Sequence, residues 1–206
     1  MNTIDGMLAA TAADAASFAR AYAGHVSGLL RQLDASALAR FADVLLEVRD
    51  AGRTVLVAGN GGSAATASHW AVDLMHGTFA PGALPLRTIS LVDNVPGLTA
   101  IANDRSYGEV FTAQLEKLLQ PGDVLVVISA SGSSPNVVGA VEYANAHGAT
   151  TLGVLGFDGG RLKERCHHAV VVATAKGEYG PVEDVHLVVN HILTMWLKSR
   201  FAAAAR

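Results

Sequence analysis

Val55-Leu56-Val57-Ala58-Gly59-Asn60-Gly61-Gly62-Ser63-Ala64 opens as an apolar run, breaks into three glycines and leads into a helical pattern. The run predicts a buried strand, and the residues from Ala64 predict a helix with Ser63 as its N-cap. Glycines permit positive φ and let backbone N–H groups approach an anion closely. A helix N-terminus adds unpaired donors and partial positive charge. The turn has neither the glycine spacing and acidic ribose partner of a dinucleotide fingerprint nor the Gly-Lys-Ser/Thr ending of a P-loop. By itself it is an anion-type turn, or a plain glycine turn between strand and helix.

A second turn repeats the design. Val126-Val127-Ile128 runs into Ser129-Ala130-Ser131-Gly132-Ser133-Ser134 and then Pro135-Asn136, so four serines fall within six positions before a helix that Pro135 suits at its first position. Neither turn holds a lysine or arginine, which points to a monophosphate bound by neutral donors. Two such turns in one sheet strengthen each other.

Outward from these turns, β-rich runs alternate with helical stretches. Strands are predicted at Thr54–Ala58, Arg87–Val92, Asp123–Ile128, Thr151–Leu155 and Ala169–Val172, several of them apolar on both faces as buried parallel strands are. Helices are predicted at Ala64–Met75, Val110–Leu119, Asn136–Ala146 and from about Val182 to Ala202. This alternation predicts an α/β fold, a doubly wound, mainly parallel five-stranded sheet in three layers, with ligands at the carboxyl ends of strands. Before it, Ala9 to Leu33 and Ser36 to about Asp50 predict an N-terminal helical pair. One domain is expected over residues 1–206, with residues 1–52 as a helical extension and 53–206 as the α/β core.

Half of the 206 residues are apolar and 16% are charged, which argues against long disorder. The net charge of −3 leaves no basic footprint for nucleic acid, so an anion site must come from local geometry. Cys166 is the only cysteine, which suits a reducing compartment. No signal-peptide pattern or membrane-length apolar run is found, so a soluble, cytoplasmic protein is expected.

Two further groups of residues suggest acid–base or metal chemistry. His69 and Asp73, four positions apart on the helix after the first turn, share one face. Glu183, Asp184, His186 and His191 lie early in the last helix, with Glu183 and His191 eight positions apart and loosely on the same side. Each has a plainer explanation: a surface His–Asp pair, acids favoured in a helix's first turn, a histidine satisfied in the core.

With these motifs in view, the chain resembles the SIS (sugar isomerase) domain family, within it the phosphoheptose isomerases, from about Arg53 to the end of the final helix. The resemblance is carried by Gly59-Asn60-Gly61-Gly62-Ser63-Ala64, Ser129-Ala130-Ser131-Gly132, Ala102-Asn103-Asp104 and Phe157-Asp158-Gly159-Gly160. It implies an aldose–ketose isomerase converting sedoheptulose 7-phosphate to a manno-heptose 7-phosphate. Asn60, Gly61, Gly62, Ser63, Asn103, Asp104, Ser129, Ser131 and Ser134 would contact substrate. His69, Asp73, Glu183 and His191 would take the metal positions, for zinc, and Asp73, His191 and Glu183 the catalytic ones. It further implies a homotetramer with active sites at subunit interfaces, where His191 could serve a neighbour's pocket. The family's residues at the four metal positions are His, Glu, Gln and His, so this chain has Asp73 for Glu and Glu183 for Gln. An isomerase of another sugar phosphate, or a non-catalytic interaction protein of the replication-initiator-associating kind, would share much of the pattern.

Overall fold

The computed structural model describes residues 2–11 and 14–204. Three helices come first: α1 (Thr3–Thr11), α2 (Ala15–Arg31) and α3 (Ala35–Asp50). The expected pair is thus a trio. Asp14 caps α2 by accepting from the N–H groups of Ala16 and Ser17, which ends the continuous helix expected from Ala9; residues 12 and 13 of that expected helix lie outside the described residues. Asp34, rather than Ser36, caps α3, because its carboxylate accepts from the Ser36 and Ala37 N–H groups.

The core then alternates as expected: β1 (Thr54–Gly59), α4 (Gly62–Val72), β2 (Arg87–Ser90), α5 (Val95–Asp104), α6 (Thr112–Leu118), β3 (Val124–Ser129), α7 (Pro135–Ala146), β4 (Thr150–Gly156), β5 (His168–Val172) and α8 (Tyr179–Ala204). Helix α5 was not expected from periodicity. Asn94 starts it by accepting from the Gly97 N–H, with a proline in its first turn. Helix α8 begins at Tyr179, which moves Glu183 and Asp184 out of the first turn. The N-cap of α4 is Gly61, not Ser63, since Gly61 has a φ of 55° and Ser63 is buried inside the first turn.

All five strands pair in parallel in the order β2-β1-β3-β4-β5. Successive strand residues point to opposite faces. Val55, Val57, Val124, Val126 and Ile128 pack under α3, α4 and α8, whereas Leu56, Ala58, Leu125 and Val127 pack under α6 and α7. The order reverses direction between β1 and β3, and a doubly wound sheet opens its crevice at such a point. The two turns noted in the sequence follow these two strands.

The N-terminal helices are fastened to the start of α8. The Thr3 N–H donates to Glu178 Oε1 at 2.8 Å, His25 Nε2 lies 2.8 Å from Glu178 Oε2, and the Tyr22 hydroxyl donates to Asp184 Oδ2 at 2.6 Å. Burial alone would raise the Glu178 carboxyl, but His25 and the Thr3 N–H hold it below its usual range.

His186, on the inner face of α8, is completely buried. Burial, only partly offset by the Leu155 carbonyl, pushes its imidazole down to about 4 from 6.5. A depressed histidine pKa makes the unfolded chain the better proton acceptor. The stabilisation is therefore whole above pH 6.5 and drains away as the pH falls toward 4. Over that window the loss is about 3 kcal/mol. Denaturant unfolding at several pH values should show it, and His186→Leu should flatten this part of the profile; an unchanged slope would assign the acid sensitivity elsewhere.

Candidate active site

The two turns face each other across a cleft of about 300 Å³ lined by Asn60, Gly61, Gly62, Ser63, Ser129, Ser131, Ser134, Tyr179 and Glu183. At the start of α4 the N–H groups of Gly62 and Ser63 precede the first helical hydrogen bonds, and both residues line the cleft, whereas α7 opens with Pro135, which has no N–H. Pro135 opens α7, as the sequence suggested, with Ser134 at the N-cap position and its side chain making no cap bond. Ser129 Oγ accepts from the Gly132 N–H at 3.1 Å, which curls the loop back on itself.

Gly132 has a φ of +58°, and a Cβ there would overlap the Gly159 carbonyl. Gly132→Ala should cost about 1–3 kcal/mol of stability and, by shifting the serine loop, raise KM for a phosphorylated sugar about tenfold or more. Thermal melting and steady-state kinetics on the same preparation check both; an unaltered KM would mean that the loop does not hold substrate.

Asn60 is held by two residues that the sequence did not single out. Its Oδ1 accepts from the Tyr107 hydroxyl at 2.9 Å and from Asn136 Nδ2 at 3.0 Å, while its Nδ2 donates to Asn136 Oδ1 at 2.8 Å. Asn136 is 2% exposed, so this doubled amide contact is a fixed strut between the turns. The only hint in the sequence is an asparagine directly after Pro135.

Asn103 and Asp104 sit at the exposed end of α5, where Asn103 Nδ2 donates to Asp104 Oδ1 at 2.9 Å. They do not line the cleft of their own chain.

On the neighbouring stretch of α4 and α8, His69, Asp73 and His191 come together. His69 Nε2 is 3.2 Å from Asp73 Oδ2, His191 Nε2 is 3.6 Å from the same oxygen, and the two Nε2 atoms are 3.4 Å apart. Atoms bound tetrahedrally at the usual 2.0–2.1 Å of zinc lie about 3.3 Å from one another. Two neutral imidazoles and one carboxylate are also a donor set suited to a divalent transition ion. The three side chains therefore fit such an ion as they stand. His191 meets His69 within its own chain, whereas the family resemblance allowed it to serve a neighbour.

Glu183 does not join this group. Its carboxylate lies against Gly62, where any Cβ would collide with it. Burial, with a smaller contribution from neighbouring Asp184, raises the Glu183 carboxyl above its usual range. The four-ligand set expected from sequence is thus divided: three groups cluster, and the fourth lines the phosphate-type cleft. Along α4 and α8 the cluster lies about 10–12 Å from the cleft residues Gly62 and Glu183.

Asp73 opens a π-turn, Asp73–Gly77, closed by the Thr78 N–H donating to the Asp73 carbonyl at 3.1 Å. Such widened turns re-aim side chains and are frequent at functional sites. Gly77 packs on Thr194 of α8, leaving no room for a Cβ.

A parallel three-layer sheet with two glycine- and serine-rich turns at its switch point, beside a His–Asp–His cluster, defines a phosphosugar-binding α/β domain with acid–base groups. Comparison with known proteins agrees. Residues 21–156 match the SIS domain family. A phosphoheptose isomerase from Nitratiruptor sp. is 41% identical over 149 residues, 72% of this chain and 78% of that protein. Another from Geobacter metallireducens is 40% identical over 156 residues, 76% of this chain and 81% of that protein. The solved phosphoheptose isomerase from Neisseria gonorrhoeae superposes with a TM-score of 0.78 at 28% identity, covering 90% of this chain and 96% of that one. The chain belongs to the SIS domain family, in its phosphoheptose isomerase branch.

Proposed function

We propose that the protein is an aldose–ketose isomerase that interconverts sedoheptulose 7-phosphate and D-glycero-manno-heptose 7-phosphate. The observation that carries this is the pairing of the phosphate-type cleft, neutral apart from Glu183, with the His69–Asp73–His191 cluster two helical turns away. That offset suits a long sugar chain, whose phosphate and carbonyl lie at opposite ends. Relatives that are themselves phosphoheptose isomerases support the same substrate.

In this scheme Ser129, Ser131 and Ser134 bind the phosphate, together with Ser63 and the backbone of Asn60, Gly61 and Gly62. Asn103 and Asp104, which do not reach this cleft, would meet sugar hydroxyls only across an interface between chains. Asp73 takes the proton from C1 of the ketose and returns one to C2, by way of an enediol. His191 moves a proton between the two oxygens, so that no atom is gained or lost. A zinc ion held by His69, Asp73 Oδ2 and His191 would polarise the carbonyl, with Asp73 Oδ1 left free to act as the base. Glu183 lines the cleft and is not required for the proton transfer, since the resemblance places a glutamine at this position.

The exposed Val72, Met75, Phe79, Ile192, Met195 and Trp196 form apolar surface on and after α4 and on α8. Copies of this chain would cover it, in a homotetramer that light scattering can count. Among the described residues no helix is long and apolar enough to cross a membrane.

The test is incubation with sedoheptulose 7-phosphate in deuterated water. Formation of the aldose with deuterium at C2 is the expected result. Turnover of other ketose phosphates but not this one would reassign the substrate, and no turnover of any would leave a phosphosugar-binding protein.

A further inference from the structure

We infer that Asn190 is a positioning residue that sets the rotation of the Asp73 carboxylate. The role rests on Asp73 acting at this site. Asn190 is fully buried on α8, and its Nδ2 donates to Asp73 Oδ2 at 2.6 Å. Thr194 Oγ1 backs it from one turn on, donating to Asn190 Oδ1 at 3.4 Å. A carboxylate only accepts, so the amide nitrogen is the end that faces it. A short bond from a buried donor to a charged acceptor is among the stronger hydrogen bonds a protein makes.

The oxygen that Asn190 holds is the one facing both imidazoles. An oxygen with two lone pairs can serve Asn190 with one and the cluster with the other. Oδ1 is left without a hydrogen-bond partner among the described residues, and the whole carboxylate is fixed in one plane. The π-turn at Asp73 and the contact of Gly77 with Thr194 bring the two helices together at this point.

Two properties follow. Asn190→Ala should lower kcat about thirtyfold with KM within about threefold, because orientation rather than binding is lost. Asp73 and Asn190 should also be coupled: in the parent protein Asp73→Glu pushes its longer side chain into the buried amide, whereas Asn190→Ala makes room for it. The double variant should then exceed the activity expected from multiplying the two single effects by about tenfold or more.

The experiment measures kcat and KM for the four proteins of this cycle, together with cobalt(II) absorption spectra of each, which report ligand geometry without turnover. Coupling in kcat and an altered cobalt spectrum for Asn190→Ala are expected. Independent, multiplicative effects with an unchanged spectrum would reduce Asn190 to a packing residue. Full activity of Asp73→Asn would instead overturn the role of Asp73, whatever Asn190 does.

Discussion

Asp73→Asn is expected to lower kcat about a thousandfold while KM changes no more than about threefold. The amide keeps the size and shape of the carboxylate but can neither take a carbon-bound proton nor supply the negative charge that the two imidazoles surround. Its hydrogen bond to Asn190 could survive with the amide oxygen turned to it, so the fold should be little affected. Glu183→Gln gives the contrast. Although Glu183 sits in the cleft with a raised pKa, its kcat should hold within about threefold. Its charge works against a phosphate in a cleft that is otherwise neutral. KM should therefore be lower in Glu183→Gln, and the ratio of the two KM values should widen as the pH rises through the raised range of Glu183, where only the parent protein gains charge. Phosphate titration cancels in that ratio. A collapse of kcat in Glu183→Gln with Asp73→Asn still active would exchange the roles of the two carboxylates.

The second large effect concerns His191→Ala. Removing one corner of a triangle with sides of 3.2, 3.4 and 3.6 Å leaves two donors, one on α4 and one on the π-turn that follows it. Zinc affinity measured by calorimetry should fall about a hundredfold or more, and kcat should fall by about a thousandfold, since the proton carrier at the oxygens goes with it. His69→Ala separates the two contributions. It should weaken zinc to the same degree but leave the proton carrier in place, so added zinc should restore more of its activity. Unchanged zinc affinity in both variants would mean that the cluster is a surface ion pair.

The α/β core was readable because buried parallel strands are written as continuous apolar runs and the turns after β1 and β3 as glycine and serine. What escaped was local competition between short polar groups. Asp14 and Asp34 each capture two N–H groups and so decide where α2 and α3 start, which alanine- and leucine-rich periodicity does not reveal. Helix α5 is only ten residues long and buries none of them fully, so the short stripe of Leu98, Ile101 and Ala102 that packs on the core gives little periodicity to read. The site was legible to the extent that its members follow helical spacing. His69 and Asp73 announce themselves at four apart, but their meeting with His191 is a matter of how α4 packs on α8. Whether Glu183 points to the cluster or to Gly62 depends on side-chain rotation, on which spacing is silent. Asn190 left one trace, a polar residue beside His191 in an otherwise apolar stretch.

The partners in the cluster are 122 residues apart in the chain, whereas Gly59–Ser63 and Ser129–Ser134 both precede α8. During synthesis the phosphate-type turns leave the ribosome first, and the N-terminal helices wait for the segment that carries Glu178 and Asp184. Helix α8 closes both arrangements at once. A chain ending before α8 would lack Tyr179 and Glu183 of the cleft as well as His191 of the cluster. Loss of α8 would therefore dismantle both parts of the proposed site together.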